Sequence, residues 1–315
     1  MLMNNSCAKT PERKMTLQIA VNMTTPPAVL LSATAPALLG ILLAIESVGR
    51  IPPVLTVCLL LIPTLMNAAV DVLNDYFDYI SGNDSRENIV SESDAPLAYH
   101  QVENPKPALW FGIGLFVIAS LMGTYVIAVS GMLPAIIGVV GGIVAITYSG
   151  TKVATSYLPI GEPLAGFTMG GLIPLGVYAA LTGEINGLIL YKAIPMMLIV
   201  SQFMLINNAC DMERDKIAGR RTLPIVIGQK NAQTLANILN LIWMVQLFHV
   251  VITWYSYGVM IILGMLLIIW KNYRRTFQME RTHENKIPVT AALACVAAGV
   301  AVAYPLAVAV HLLLV

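Results

Sequence analysis

The sequence predicts an all-α polytopic membrane protein of about nine transmembrane helices, and three observations predict it. Of its 315 residues 57% are hydrophobic and only 11% charged, with a mean hydropathy of +0.75; a soluble domain carries about 25% charged residues. The apolar residues gather into nine runs, roughly 26–45, 52–80, 108–128, 132–150, 160–181, 187–211, 233–252, 256–271 and 288–312, each of a length that can cross a bilayer. With the N-terminus inside, all of the 18 lysines and arginines except Arg50 and Lys192 fall on the inner side, as the positive-inside rule requires. A cytoplasmic N-terminus and an outward C-terminus follow.

Taken in order, residues 1–25 form a polar, basic cytoplasmic segment without the apolar core of a cleavable signal, so the first span is the expected insertion signal. Residues 26–315 then read as a single transmembrane domain. Proline punctuates it at Pro36, Pro63, Pro134, Pro174, Pro195 and Pro305, which neighbouring helices tolerate by re-satisfying the freed backbone groups. Two inner loops, about 81–107 and 212–232, exceed what a connection needs, and long polar loops are where sites tend to lie. Cys7, Cys58, Cys210 and Cys295 are scattered and build neither a disulfide framework nor a metal cluster. The four histidines lack ligand spacing.

The chemistry gathers where the second span ends. Asn67, Asp71, Asn74, Asp75 and Asp78 fall within an arc of about 100° on a helix; Gly82 breaks that helix and Asp84 lies beyond. Carboxylates at the mouth of a membrane helix are costly to keep and are read as functional. Crowded carboxylates need a cation, and oxygen-only ligands suit a hard ion such as Mg²⁺, which completes its shell with water and phosphate.

The sixth span ends the same way. Asn207-x₃-Asp211-x₃-Asp215 repeats Asn67-x₃-Asp71-x₃-Asp75 four spans later, and four spans preserve direction. Helices 1–4 and 5–8 are therefore expected to form a pseudo-repeat, with acidic motifs at 71–84 and 207–221 opening to the cytoplasmic side. Two facing acidic clusters can hold metals around a bridging anion, whose remaining charge Lys216, Arg220 and Arg221 would meet.

Asn74-Asp75-x-x-Asp78 together with Asp211-x₃-Asp215, on the second and sixth of nine spans, resembles the UbiA superfamily of intramembrane aromatic prenyltransferases. Within it the stretches Asn74–Asp84 and Asn207–Leu223, with Gly161-Glu162 before the fifth span, resemble the branch that prenylates 1,4-dihydroxy-2-naphthoate in menaquinone biosynthesis. The resemblance implies a helical bundle around a central cavity in the cell's inner (plasma) membrane. It implies Mg²⁺-dependent transfer of a polyprenyl group from an allylic polyprenyl diphosphate to an aromatic acceptor. Metal ligation would fall to Asp75, Asp78, Asp84, Asp211 and Asp215. Catalysis would fall to Asp75, Asp78, Asp211, Asp215, Lys216 and Arg221, and substrate binding to Asn67, Asp71, Asn74, Asn208, Tyr148, Lys152 and Arg220. The partners implied are the two small-molecule substrates and the lipid bilayer, with no nucleic acid.

The chain departs from that branch in places. Leu158 and Pro159 stand where an arginine is usual, Asp94–His100 replaces an arginine-bearing stretch, and Ile217 stands where lysine is common. A 4-hydroxybenzoate or haem-farnesylating relative remains open, as does a secondary transporter, which would also carry intramembrane acids and a repeat.

Overall fold

The computed structural model describes residues 14–24, 30–86, 89, 91–93, 95–149 and 154–315; among these there are helices and no strands. A short helix α1 (Leu17–Met23) precedes the spans α2 (Leu31–Val48), α3 (Pro53–Ser81), then a one-turn helix α4 (Pro96–His100). The spans α5 (Lys106–Ser130), α6 (Met132–Ser149), α7 (Gly161–Thr182) and α8 (Gly187–Cys210) follow. Two short helices, α9 (Met212–Ile217) and α10 (Leu223–Ile227), lead to the last spans, α11 (Gln229–Trp254), α12 (Ser256–Gln278) and α13 (Lys286–Leu314).

Eight of these helices are long and apolar enough to cross a membrane. The ninth predicted span, α6, is the short one, so the nine sequence runs correspond to eight long helices and one shorter apolar helix. The chain is a multi-pass membrane protein.

Helix α3 shows how local chemistry sets the frame. Pro53 opens it at a position where no backbone donor is missed. Its 29 residues span about 43 Å, against a hydrocarbon core of roughly 30 Å, so its last turns, which carry the acids, stand at the membrane rim. Gly82 closes it in the left-handed conformation (φ +79°), with its N–H on the carbonyl of Tyr79. Helix α12 likewise runs to Gln278, beyond the expected edge at 271: apolarity marks where lipid stops, not where a helix stops.

Lipid gives helices little hydrophobic reason to associate, so small residues and buried polar pairs do the work. A Cβ at Gly166 or Gly170 of α7 would collide with Ser201 or the backbone of Met197 on α8. That approach, carried down one turn, sets the start of α7 beside the end of α8. Deeper in, the Trp243 indole donates to Gln202 (2.9 Å), Gln202 to the Ala236 carbonyl (2.9 Å), Asn240 to Thr276 (2.8 Å) and Tyr273 to the Asn240 carbonyl (3.0 Å), tying α8, α11 and α12 together. At the far rim the buried Lys192 meets Glu46 at 3.0 Å, and Tyr255 donates to the same carboxylate at 2.8 Å.

Candidate active site

Helix α3 carries Asn67 to Asp78 without interruption, so the expected stripe exists as one face. Asp75 and Asp78 are both buried. The Gly82 turn folds the chain back: the Asp84 N–H donates to the Asp78 carbonyl (3.1 Å) and the Asn83 amide to Asp78 Oδ1 (3.0 Å). Asn74 donates to Asp78 Oδ2 at 3.3 Å. Asp75 is different. Both its oxygens are covered and neither accepts a hydrogen bond of normal geometry, although the Leu97 N–H faces it. The charges that bear on it belong to other carboxylates, those of Asp84, Asp78 and Asp71.

The second acidic end is jointed rather than continuous. Helix α8 stops at Cys210, Asp211 (φ −99°, ψ 9°) forms the joint, and α9 begins at Met212. The Asp215 N–H still donates to the Asp211 carbonyl (2.9 Å), which keeps the two acids one turn apart. Here cations are plentiful. Lys286 Nζ lies 2.8 Å from Asp211 Oδ2, Arg214 Nη1 3.3 Å from Oδ1, and His283 Nδ1 3.6 Å from the same oxygen. Burial pushes the Asp215 carboxyl up to about 6, against the pull of Arg220.

Arg220 joins the two ends. Its guanidinium donates to Asp78 Oδ1 at 2.7 Å and to Asp215 Oδ1 at 3.4 Å, and it lies 4.5 Å over the Tyr157 ring. Burial opposes its charge, but Asp78 and Asp215 prevail and hold its proton more tightly than usual. Tyr157 completes the bracket: its hydroxyl donates to Asp78 Oδ1 (3.2 Å) and its carbonyl accepts from the Arg221 N–H (2.7 Å). Arg214 reaches back to Asp84 at 4.0 Å. The two acidic helix ends therefore share one rim and face each other.

Not every residue singled out in the sequence stands with them. Lys216 and Arg221 are exposed, and neither side chain reaches an acid among the described contacts. On a helix Lys216 sits about 140° around from Asp211, whereas Arg214, three residues on, shares its face. Lys286, His283 and Tyr157, all unanticipated, stand at the site. Asn67 donates to Ser32 on α2 (2.8 Å), away from the rim. Asn208 donates to Glu162 (2.9 Å). Tyr148 is half-buried, within electrostatic reach of Glu162, Asp71 and Arg220. Lys152 lies outside the described residues.

Among the described residues no three carboxylate, histidine or cysteine side chains close on a single point; the guanidinium of Arg220 occupies the gap between Asp78 and Asp215. The donor set nonetheless fits a hard divalent ion: every anionic group is a carboxylate, and Asp75 is a buried one whose oxygens accept no hydrogen bond of normal geometry.

A bundle of apolar helices thus brings two acid-bearing helix ends together at one rim. The chain belongs to the UbiA prenyltransferase family, whose model matches residues 33–287. It is 32% identical over 225 residues, 71% of each chain, to the 1,4-dihydroxy-2-naphthoate octaprenyltransferase of Bacillus subtilis. It is 26% identical over 211 residues, 66% of this chain, to UbiA prenyltransferase domain-containing protein 1 of Homo sapiens, of which the match spans 61%. Its fold matches a UbiA homologue from Archaeoglobus fulgidus bound to GPP and Mg²⁺ (TM-score 0.65, 15% identity, 92% of this chain and 99% of that one). An apo UbiA homologue from Aeropyrum pernix K1 matches with a TM-score of 0.60 at 17% identity, over 95% and 99% of the two chains. Family membership sets aside the transporter reading.

Proposed function

We propose that this enzyme transfers a polyprenyl group from an allylic polyprenyl diphosphate to 1,4-dihydroxy-2-naphthoate, releasing diphosphate, with Mg²⁺ as cofactor. The observation that carries the reading is the contrast at the rim. Asp75, buried and accepting no hydrogen bond of normal geometry, stands among other acids, and its neighbour Asp78 meets the second acidic end through the Arg220 bridge. The B. subtilis relative supports the choice of acceptor.

Asp75, Asp78 and Asp84 on one side and Asp211 and Asp215 on the other would hold the metal. When bound, Mg²⁺ supplies Lewis-acid neutralisation of the leaving diphosphate. Arg220, Arg214 and Lys286 lie where they can turn from their carboxylates to phosphate oxygens, Arg bidentately. Lys216 and Arg221 serve at most from the outer edge of that loop. As the C1–O bond of the donor breaks, its electron pair stays on the diphosphate, where these cations stabilise it. The electron-rich ring carbon of the acceptor then bonds to C1 and the ring loses its carboxylate as CO₂. Asn74 orients Asp78. Tyr148 and Tyr157 offer ring faces beside the reacting charges, and the apolar helices exclude water from the allylic cation.

The enzyme works as one transmembrane unit of the plasma membrane, N-terminus in the cytoplasm and site open to that side. The sidedness of the lysines and arginines supports this orientation. The test is mass spectrometry of products formed by purified protein from dihydroxynaphthoate, with 4-hydroxybenzoate as competitor and prenyl diphosphates of mixed length. Prenylated, decarboxylated naphthoquinol is expected; prenylated 4-hydroxybenzoate as the main product overturns the acceptor assignment.

A further inference from the structure

Glu162, in the first turn of α7, is 1% exposed. Its Oε1 accepts from two donors that belong to the second acidic motif: Asn208 Nδ2 at 2.9 Å and the backbone N–H of Leu223 at 3.1 Å. Those donors flank the jointed segment that carries Asp211, Arg214, Asp215 and Arg220. One end of that segment leaves α8 at Cys210; the other re-enters helix at Leu223, where the first N–H groups of α10 have no partner within the helix. The Thr222 side chain forms no cap hydrogen bond. The partly buried Leu223 N–H has Glu162 as its partner.

Keeping a carboxylate this deep is costly unless its hydrogen bonds repay the loss of water. Position explains why it is kept. The turn before α7 touches both acidic ends: Tyr157 contacts Asp78 and Arg221, and five residues later Glu162 grips Asn208 and Leu223. The close packing of Gly166 and Gly170 on α8 makes this register rigid. We propose that Glu162 is a positioning residue, one that touches no substrate and, through Oε1, holds Asn208 and the 211–223 segment in register with α7 so that Asp215 and Arg220 face the first acidic end. What it tunes is affinity for a magnesium diphosphate group, which rests on the prenyl-transfer reading above; the mechanical part does not.

The experiment uses the full chain in lipid nanodiscs, as wild type, Glu162→Ala and Glu162→Gln. Amide hydrogen exchange of a peptide containing Leu223 reports the clamp, and calorimetry with Mg²⁺ and inorganic pyrophosphate reports the site. Glu162→Ala should speed exchange at Leu223 and weaken pyrophosphate binding, each about ten- to a hundredfold, because bonds to a charged acceptor are lost and a donor is left unpaired. Glu162→Gln keeps an acceptor oxygen in place and should recover both to within about threefold. Unchanged exchange in Glu162→Ala, or a Glu162→Gln protein as impaired as Glu162→Ala, overturns the proposal. If Glu162→Ala does not insert, Glu162→Met, which keeps the bulk and removes both acceptor oxygens, is read by the same criteria. Wild-type protein that binds no pyrophosphate overturns the diphosphate reading alone, while the exchange data still judge the clamp.

Discussion

The two acidic helix ends resemble each other in sequence and differ in electrostatic state. At the end of α3, Asp75 is buried with both oxygens unpartnered and acids for neighbours. At the end of α8, Asp211 already holds Lys286, Arg214 and His283, and Asp215 shares Arg220 with Asp78. Within the first end Asp75 has acids for its charged neighbours, whereas at the second end each acid already has a basic partner. The same Asn-x₃-Asp-x₃-Asp spacing can thus make a metal seat in one place and a phosphate grip in another. What decides between them is which basic residues the rest of the chain delivers.

The sharpest way to break the comparison is to neutralise one acid at each end. Asp75→Asn and Asp211→Asn should each lower turnover by at least about 10²- to 10³-fold. Their stabilities should move in opposite directions. Scanned at pH 9 without metal, Asp75→Asn relieves an uncompensated buried charge and should raise the melting midpoint by about 2–4 °C. Asp211→Asn removes the 2.8 Å ion pair with Lys286 and should lower it by a similar amount. Equal shifts in both variants would show that the two ends are alike after all.

Arg220 comes next, because its guanidinium hydrogen-bonds to a buried acid at each end. Arg220→Ala should cost about 10²-fold in kcat/KM, chiefly through the KM for the prenyl donor. Arg220→Lys should recover little of it, since a lysine can neither bridge two carboxylates with a planar fork nor stack on the Tyr157 ring. Steady-state kinetics on the two variants checks both points. Lys286→Met probes the second end alone: freed of its 2.8 Å partner, Asp211 should bind Mg²⁺ about three- to tenfold more tightly while the grip on pyrophosphate loosens by a similar factor. Calorimetry with each ligand separates the effects.

How much of this was legible in the sequence depended on whether the partners lay close in the chain. The first end was readable because Asn67 to Asp78 sit on one unbroken helix, where a period of 3.6 places them on one face. At the second end the acids were readable and their partners were not. His283 arrives from the loop between α12 and α13 and Lys286 from the first residue of α13, where an isolated lysine reads only as a topology signal. Lys216 directly follows Asp215, but adjacent residues on a helix diverge by about 100°. The i, i+3 spacing of Asp211 and Arg214 was the available clue. Tyr157 and the double role of Glu162 depend on how α7 packs against α8, which no local pattern encodes.

The smallest expected effect is the dependence on pH, and it belongs to the second end. Burial holds the Asp215 carboxyl at about 6 against an ordinary 3.8, so between those values the metal-free fold keeps a proton that the unfolded chain has lost. The stability this confers is complete below about pH 4 and fades as pH rises through about 6. Mg²⁺ competes with that proton. The rise in melting midpoint on adding Mg²⁺ should therefore be small at pH 5 and grow through pH 6. In Asp215→Asn the inflection near pH 6 should vanish, because no proton remains there to displace. Persistence of the inflection in that variant would move the titrating group to the other end and reverse the assignment of which site is charged in advance.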